Sequence, residues 1–325
     1  MHCRFLFLSL SAVAVVAVAT PAFAQQGDAA DGYTRARALF SAHQYRDSIG
    51  ALDEYIQAHP ADARALALRG DSKANLGDNA GALKDYDAAL EADPQYQYGY
   101  VTRCETRLQV DDQSGALADC EMALKLNSSD PQAYEDRGDI HFARQAYDLA
   151  LADYDKAVSL GRSNPYLFAA RCDSDRLNGK LDLAEADCEK SLSLDPKNRR
   201  GLWASGRLAL AEKRYNDAVS ALTAYIAEKP DGSDTAYYFR GLANNRLKNY
   251  GSALADLNIY VKRAPDDGDG YKERAVALYG SGDKKAAAGD LSTAKLSYTK
   301  AGDQTQAARV AAMIDALSAG RDPTP

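Results

Sequence analysis

The chain has little of what catalysis, metal binding or nucleic-acid recognition draws on. Of its 325 residues only four are histidine, five cysteine and one tryptophan. His2 lies in the N-terminal leader, His43 and His59 fall near the ends of helical patterns, and His141 occupies a packing position, so no two histidines have the spacing of metal ligands. No glycine-rich loop cradles a phosphate, no serine sits in a nucleophile elbow, and no Cys-x-x-Cys pair marks a redox centre. Lysine and arginine total 39 against 46 acidic residues, for a formal charge of −7, and the cations are not clustered into a face that nucleic acid would need. Strand alternation is absent, and Asp and Glu pairs at helical spacing read as solvated helix surface. These absences predict no catalytic role, no metal, no cofactor, no small-molecule substrate and no nucleic-acid partner.

Long hydrophobic runs are confined to one place. His2 and Arg4 form a short polar start, Phe5 to Thr20 is apolar, and Ala22-Phe23-Ala24 has the small-residue pattern of a cleavage site. Residues 1–24 therefore read as a secretory signal peptide, with the mature chain beginning at Gln25. The run is short for a membrane span, and Cys3 precedes it, whereas a lipid-anchored protein needs its cysteine at the cleavage site. An alanine- and valine-rich leader of this kind looks bacterial, so a periplasmic location is expected, with secretion as the alternative and no integral membrane association.

What is present is a period. A small residue between two helices recurs at Ser48, Ala82, Ala116, Ala150, Ala184, Ala218, Ala253 and Ala287; six intervals are 34 residues and one is 35, the extra residue falling in Asp231-Gly232-Ser233-Asp234. Placing this residue at position 20 defines eight repeats: 29–62, 63–96, 97–130, 131–164, 165–198, 199–233, 234–267 and 268–301. Apolar or small residues at positions 4, 8 and 11, then at 20, 24, 27 and 28, follow helical spacing on both halves. Gly77, Gly179 and Gly282 mark the turn between the helices, Asp130-Pro131 and Asn164-Pro165 supply an N-cap and a first-turn proline, and a proline at position 32 stops the preceding helix. Asp303 can cap a last helix whose Ala307, Val310, Ala311, Ile314 and Leu317 share one face, covering the open end of the stack, before a disordered tail from Gly320. Length alone suggests two domains, but an unbroken period predicts one continuous core.

The clearest copy, Ala63 to Tyr96, reads Arg69-Gly70 at 7 and 8, Gly77 at 15, Ala82 at 20, Tyr86 at 24, Ala89 at 27 and Pro94 at 32. It resembles the tetratricopeptide repeat, and the resemblance covers roughly Ala29 to Tyr298. The family's tryptophan at 4 is replaced by Leu66, Tyr100, Tyr134, Phe168, Leu202, Tyr237 and Tyr271, and its leucine at 7 is mostly arginine. The resemblance implies an all-α, right-handed solenoid of about eight helix-turn-helix repeats with a C-terminal capping helix. It also implies a non-catalytic scaffold or adaptor for a protein or peptide partner. Capture of unfolded peptides is the alternative, and a non-catalytic subunit of an envelope enzyme complex a more distant one. In this family positions 2, 5, 9 and 12 of the first helix line the concave face. Here they place Tyr98, Glu105, Asp139, Phe142, Tyr166, Asp173, Arg176, Trp203, Arg207, Tyr238 and Tyr279 toward a partner, with Trp203 and Arg207 as the strongest anchor. Position 9 is acidic in repeats two to five and Arg207 in the sixth, which suggests an acidic half and a more basic half. The family's clamp for C-terminal carboxylates is absent.

Eight copies of one unit can be compared with one another. Arginine at 7 accompanies aspartate at 23 in six repeats, as Arg69 with Asp85, Arg103 with Asp119, Arg137 with Asp153, Arg171 with Asp187, Arg240 with Asp256 and Arg274 with Asp290. In the sixth repeat both are lost together, to Ser205 and Ala221, while the first keeps Arg35 opposite Ala51. Antiparallel helices joined near position 15 bring 7 and 23 level, which predicts a salt bridge bracing each hairpin. Cysteines occupy 8 and 24 in repeats three and five only, so two disulfides are expected, Cys104 with Cys120 and Cys172 with Cys188. Four buried thiols are the alternative.

Overall fold

The structure, a computed structural model, describes residues 22–229, 231 and 234–323, so residues 1–21 of the expected leader and most of the loop before Asp234 lie outside the described residues. Among the described residues the chain is an all-α repeat solenoid of seventeen helices with no strand. None of those helices is long and apolar enough to cross a membrane. The chain divides into two compact units, Met1–Gly115 and Ala116–Pro325. That division is invisible in the repeat period, which runs through it unbroken.

The N-terminal unit holds α1 (Ala22–Ser41), α2 (Tyr45–Ala58), α3 (Ala63–Asn75), α4 (Asn79–Ala92) and α5 (Gln97–Gln109). The C-terminal unit holds most of α6 (Gln113–Leu126), then α7 (Pro131–Ala143), α8 (Tyr147–Ser159), α9 (Pro165–Leu177), α10 (Leu181–Leu194), α11 (Arg199–Ala211), α12 (Tyr215–Glu228), α13 (Asp234–Arg246), α14 (Tyr250–Arg263), α15 (Gly268–Gly280), α16 (Lys284–Lys300) and α17 (Gln304–Ser318). From the second repeat onward each first helix starts at position 1 and ends at position 13, and every second helix starts at position 17.

Local chemistry sets those boundaries. At position 34 the side chains of Asp62, Asp130, Asn164, Asn198 and Asp267 accept hydrogen bonds from free backbone N–H groups of the helix that follows, at 2.8 to 3.3 Å. Position 15 of all eight repeats is left-handed: Gly77, Gly179 and Gly282 take it without strain, whereas His43, Asp111, Gln145, Lys213 and Lys248 are held there with φ near 60°. The small residue that marks each repeat is not in this turn. It is the fourth residue of the second helix, fully buried in all eight copies, where a larger side chain would push the hairpin apart. Ser48 even donates its hydroxyl to the carbonyl of Ala36 across the hairpin, at 2.9 Å.

Positions 8 and 24 form a tight layer. A Cβ on Gly70 would lie 2.5 Å from the Tyr86 ring, and one on Gly138 2.6 Å from the Tyr154 ring. Glycine at 8 thus makes room for a bulky residue at 24. In the fifth repeat two cysteines fill the same layer, and Cys172 and Cys188 are joined across it with their Cα atoms 5.4 Å apart. Cys104 and Cys120 lie in different units, and their pairing remains a prediction. At the C-terminus Asp303 caps α17 by accepting from the Gln306 N–H at 2.9 Å. Ala307 and Val310 of α17 are buried against α16, with Ile314 and Leu317 partly buried beside them.

Candidate protein-interaction face

The arginine at position 7 does more than brace a hairpin. Arg69, Arg137, Arg171, Arg240 and Arg274 each donate Nε and Nη2 to both carboxylate oxygens of the position-23 aspartate, at 2.5 to 3.0 Å. Arg103 and Asp119 have their places in different units. The remaining Nη1 reaches back to position 25 of the preceding repeat: Asp53 from Arg69, Asp87 from Arg103, Asp155 from Arg171, Thr223 Oγ1 from Arg240 and Asn258 Oδ1 from Arg274, at 2.7 to 3.1 Å. The same guanidinium groups lie over the position-4 rings of Tyr100, Tyr134, Phe168, Tyr237 and Tyr271, 5.3 to 5.7 Å from their centroids. The two departures from the family pattern, at 4 and at 7, therefore belong to one device, a staple that in repeats two, five, seven and eight fastens the repeat to itself and to the one before.

The first helices carry the candidate face. In the N-terminal unit α3 packs beside α5, and Asp71 at position 9 is buried between them. Tyr86 from α4 donates to its Oδ1 and Tyr98 from α5 to its Oδ2, both at 2.8 Å. Burial pushes the Asp71 carboxyl up to about 6 against the pull of those two phenols. A shallow cavity of about 210 Å³ opens here, lined by Asp71, Tyr86, Tyr98, Glu105, Thr106 and Gln109 among others. The structure thus brings Tyr98 and Glu105 together around a carboxylate.

In the C-terminal unit α7, α9, α11, α13 and α15 pack side by side in that order. Arg200 at position 2 of α11 reaches past α9 to Asp139 on α7, 3.2 Å away, and lies over the Phe142 ring at 5.7 Å. Asp139 also accepts from the Tyr154 hydroxyl at 2.7 Å, and Asp173 accepts from Arg176 Nε at 2.8 Å. The carboxylates of repeats four and five are therefore paired with arginines, and this stretch is not the acidic half that position 9 alone suggests. Glu135 is likewise engaged by Arg162 and Asn164.

Arg207 is the exception. Its guanidinium lies 3.5 Å from the centroid of the Phe239 ring and 5.7 Å from that of Trp203, and its Nη1 is buried without a hydrogen-bond partner among the described residues. Burial, reinforced by the nearby Arg176, pushes Arg207 down to about 10. Trp203 packs on Tyr225 and Phe239 with centroids 5.4 and 5.7 Å away, and Tyr238 packs on Phe239 and Tyr260 at 5.0 and 5.2 Å. The predicted pair is thus assembled, but Trp203 spends much of its surface on its own chain. Phe239, Tyr225 and Tyr260 complete this aromatic wall and were missed because they fall outside positions 2, 5, 9 and 12. The run Tyr237-Tyr238-Phe239 was their one visible signal. Tyr166 is 59% exposed, and Tyr279 sits apart under Lys284 Nζ at 5.8 Å.

The tetratricopeptide repeat family profile matches residues 33–96, 109–165 and 174–233, more than half of the chain. No curated protein matches it. Among solved structures, a chain of the Cut9-Hcn1 hetero-tetramer of the APC/C superposes with a TM-score of 0.64 at 14% identity, covering 87% of this chain and 54% of that one. This chain therefore spans about half the length of that relative. PilF of Pseudomonas aeruginosa gives 0.57 at 15% identity over 64% of this chain and 95% of its own. PilW, a type IV pilus biogenesis factor, gives 0.56 at 17% over 66% and 98%. At these identities the likeness is one of fold.

Proposed function

Because the chain belongs to the tetratricopeptide repeat family, whose members are protein-interaction scaffolds, we propose that it is a non-catalytic scaffold or adaptor of the bacterial envelope that holds a partner polypeptide on its first-helix face. The observation that carries this reading is Arg207, a half-buried cation among aromatic rings whose Nη1 is left without an acceptor among the described residues. Such a group is destabilising in the free protein and is satisfied when a partner supplies an acceptor, the pattern of an interface anchor. In the N-terminal unit the first-helix residues proposed to bind are Tyr98 and Glu105; in the C-terminal unit they are Asp139, Phe142, Tyr166, Asp173, Arg176, Trp203, Tyr238 and Tyr279.

The test is affinity capture from envelope extract with the mature protein as bait. Arg207→Ala is the cleaner variant, because Trp203 supports its own core. It is expected to reduce recovery of the partner at least tenfold at unchanged helical content. Equal recovery by wild type and variant refutes the anchor.

Export and cross-linking are proposed together, since the periplasm is oxidising. Protein isolated from the periplasmic fraction is expected to begin at Gln25 and to yield Cys104–Cys120 and Cys172–Cys188 cross-linked peptides on non-reducing mapping. Each bridge closes a short loop, with a stabilising effect of roughly 3 kcal/mol. Retained Met1, or four alkylatable thiols, refutes the proposal.

A further inference from the structure

One staple is missing from the C-terminal unit, and its place is open. In the sixth repeat position 7 is Ser205 and position 23 is Ala221, so neither the guanidinium nor its carboxylate is supplied by the chain. A cavity of about 270 Å³ lies at this place, with both residues in its wall. Leu192, Leu208 and Ala209 also line it, as does Glu189 from α10. Glu189 is position 25 of the preceding repeat, the place that accepts the arginine's Nη1 elsewhere. It is exposed and makes no hydrogen bond or ion pair with the described residues. Glu185 and Asp217 line the cavity as well, against a single cation, Arg214, which is already held by Glu185 at 3.0 Å, Asp217 at 3.1 Å and Glu212.

We propose that this slot between the fifth and sixth repeats binds an arginine side chain of a partner polypeptide, which takes the place of the missing position-7 guanidinium and makes in trans the arm to position 25 that other repeats make in cis. The apolar wall suits the aliphatic stem, and Glu189 receives the guanidinium at the mouth, as long cationic side chains lie along apolar surface with the charged head outward. A planar fork with several N–H groups also matches the carboxylate and the Ser205 hydroxyl better than an ammonium does. The slot is built from positions 7, 23 and 25, not from 2, 5, 9 and 12, so it is a second surface. Its occupancy does not depend on the anchor at Arg207.

The probe is N-acetyl-arginine amide, titrated into the intact ¹⁵N-labelled protein. Saturable amide shifts are expected at Ser205, Ala221 and Glu189. Glu189→Gln is expected to weaken binding at least fivefold, and Ser205→Arg combined with Ala221→Asp, which rebuilds the staple in cis, to abolish it. Glu189 is exposed, so its variant folds normally and keeps the test sound even if the rebuilt staple does not form. Arg207→Ala is expected to bind the probe like wild type, which separates this site from the partner-binding face. Absence of shifts at the three residues, equal shifts with N-acetyl-leucine amide, or an affinity unchanged by Glu189→Gln overturns the proposal.

Discussion

Arg240→Ala is expected to destabilise the C-terminal unit by about 3–5 kcal/mol, the cost of stranding one member of a buried ion pair. Asp256 is 4% exposed and takes both of its staple hydrogen bonds from Arg240, whose own Nε and Nη2 donors are 2.8 and 2.7 Å away. Removing the guanidinium also leaves Thr223 Oγ1 without its donor and uncovers the Tyr237 ring. Asp256→Ala in the same background removes the stranded charge. The double variant Arg240→Ser with Asp256→Ala copies what the sixth repeat already carries, and it is expected to recover about 2 kcal/mol of the loss. Chemical denaturation followed by the fluorescence of Trp203, the only tryptophan, reads this well, because Trp203 packs on Phe239 in the stapled repeat. If the double variant loses as much as Arg240→Ala plus Asp256→Ala taken singly, the two side chains are not coupled and the staple has no energetic content of its own.

Asp71 is expected to make the N-terminal unit less stable as pH rises from about 4 to about 7. Its carboxyl is 6% exposed and is pushed from 3.8 up to about 6, chiefly by burial. A folded value above the unfolded one means that the folded state binds the proton more tightly. The stabilisation is therefore complete below about pH 4 and is lost as pH climbs through about 6, reaching roughly 3 kcal/mol. Asp71→Asn keeps an acceptor oxygen for one of the two tyrosine hydroxyls, turns an amide N–H toward the oxygen of the other, and cannot ionise, so this part of the pH dependence is expected to vanish. Urea denaturation of both proteins at pH 4, 5, 6 and 7 isolates it as the difference between the two profiles. Parallel profiles would show that Asp71 titrates alike in the folded and unfolded chain.

Much of this molecule was legible because a repeat protein is an experiment performed several times within one chain. The 34-residue spacing from Ser48 to Ala287 determined the hairpin period, and the helix boundaries follow it almost residue by residue. Joint presence of arginine at 7 and aspartate at 23, and their joint loss at Ser205 and Ala221, determined the brace within each hairpin. Caps at Asp130, Asn164 and Asp303 were readable for the same reason: each depends on one side chain and the backbone two or three residues away.

What only the tertiary structure decided depends on contacts between repeats, which no within-repeat pattern records. The third arm of four staples ends on position 25 of the preceding repeat, where Asp53, Asp155, Thr223 and Asn258 share hydrogen-bonding capacity but not identity. Pairing of Arg200 with Asp139 spans 61 residues and two repeats, so the charge of the face could not be summed from position 9. The open slot beside Glu189 is likewise a property of packing, since a missing side chain becomes a cavity only where its neighbours are held rigidly in place. Sequence thus determined the local periodic chemistry of this protein. Packing of one repeat on the next decided which polar groups were satisfied, which were left open, and where a partner could be held.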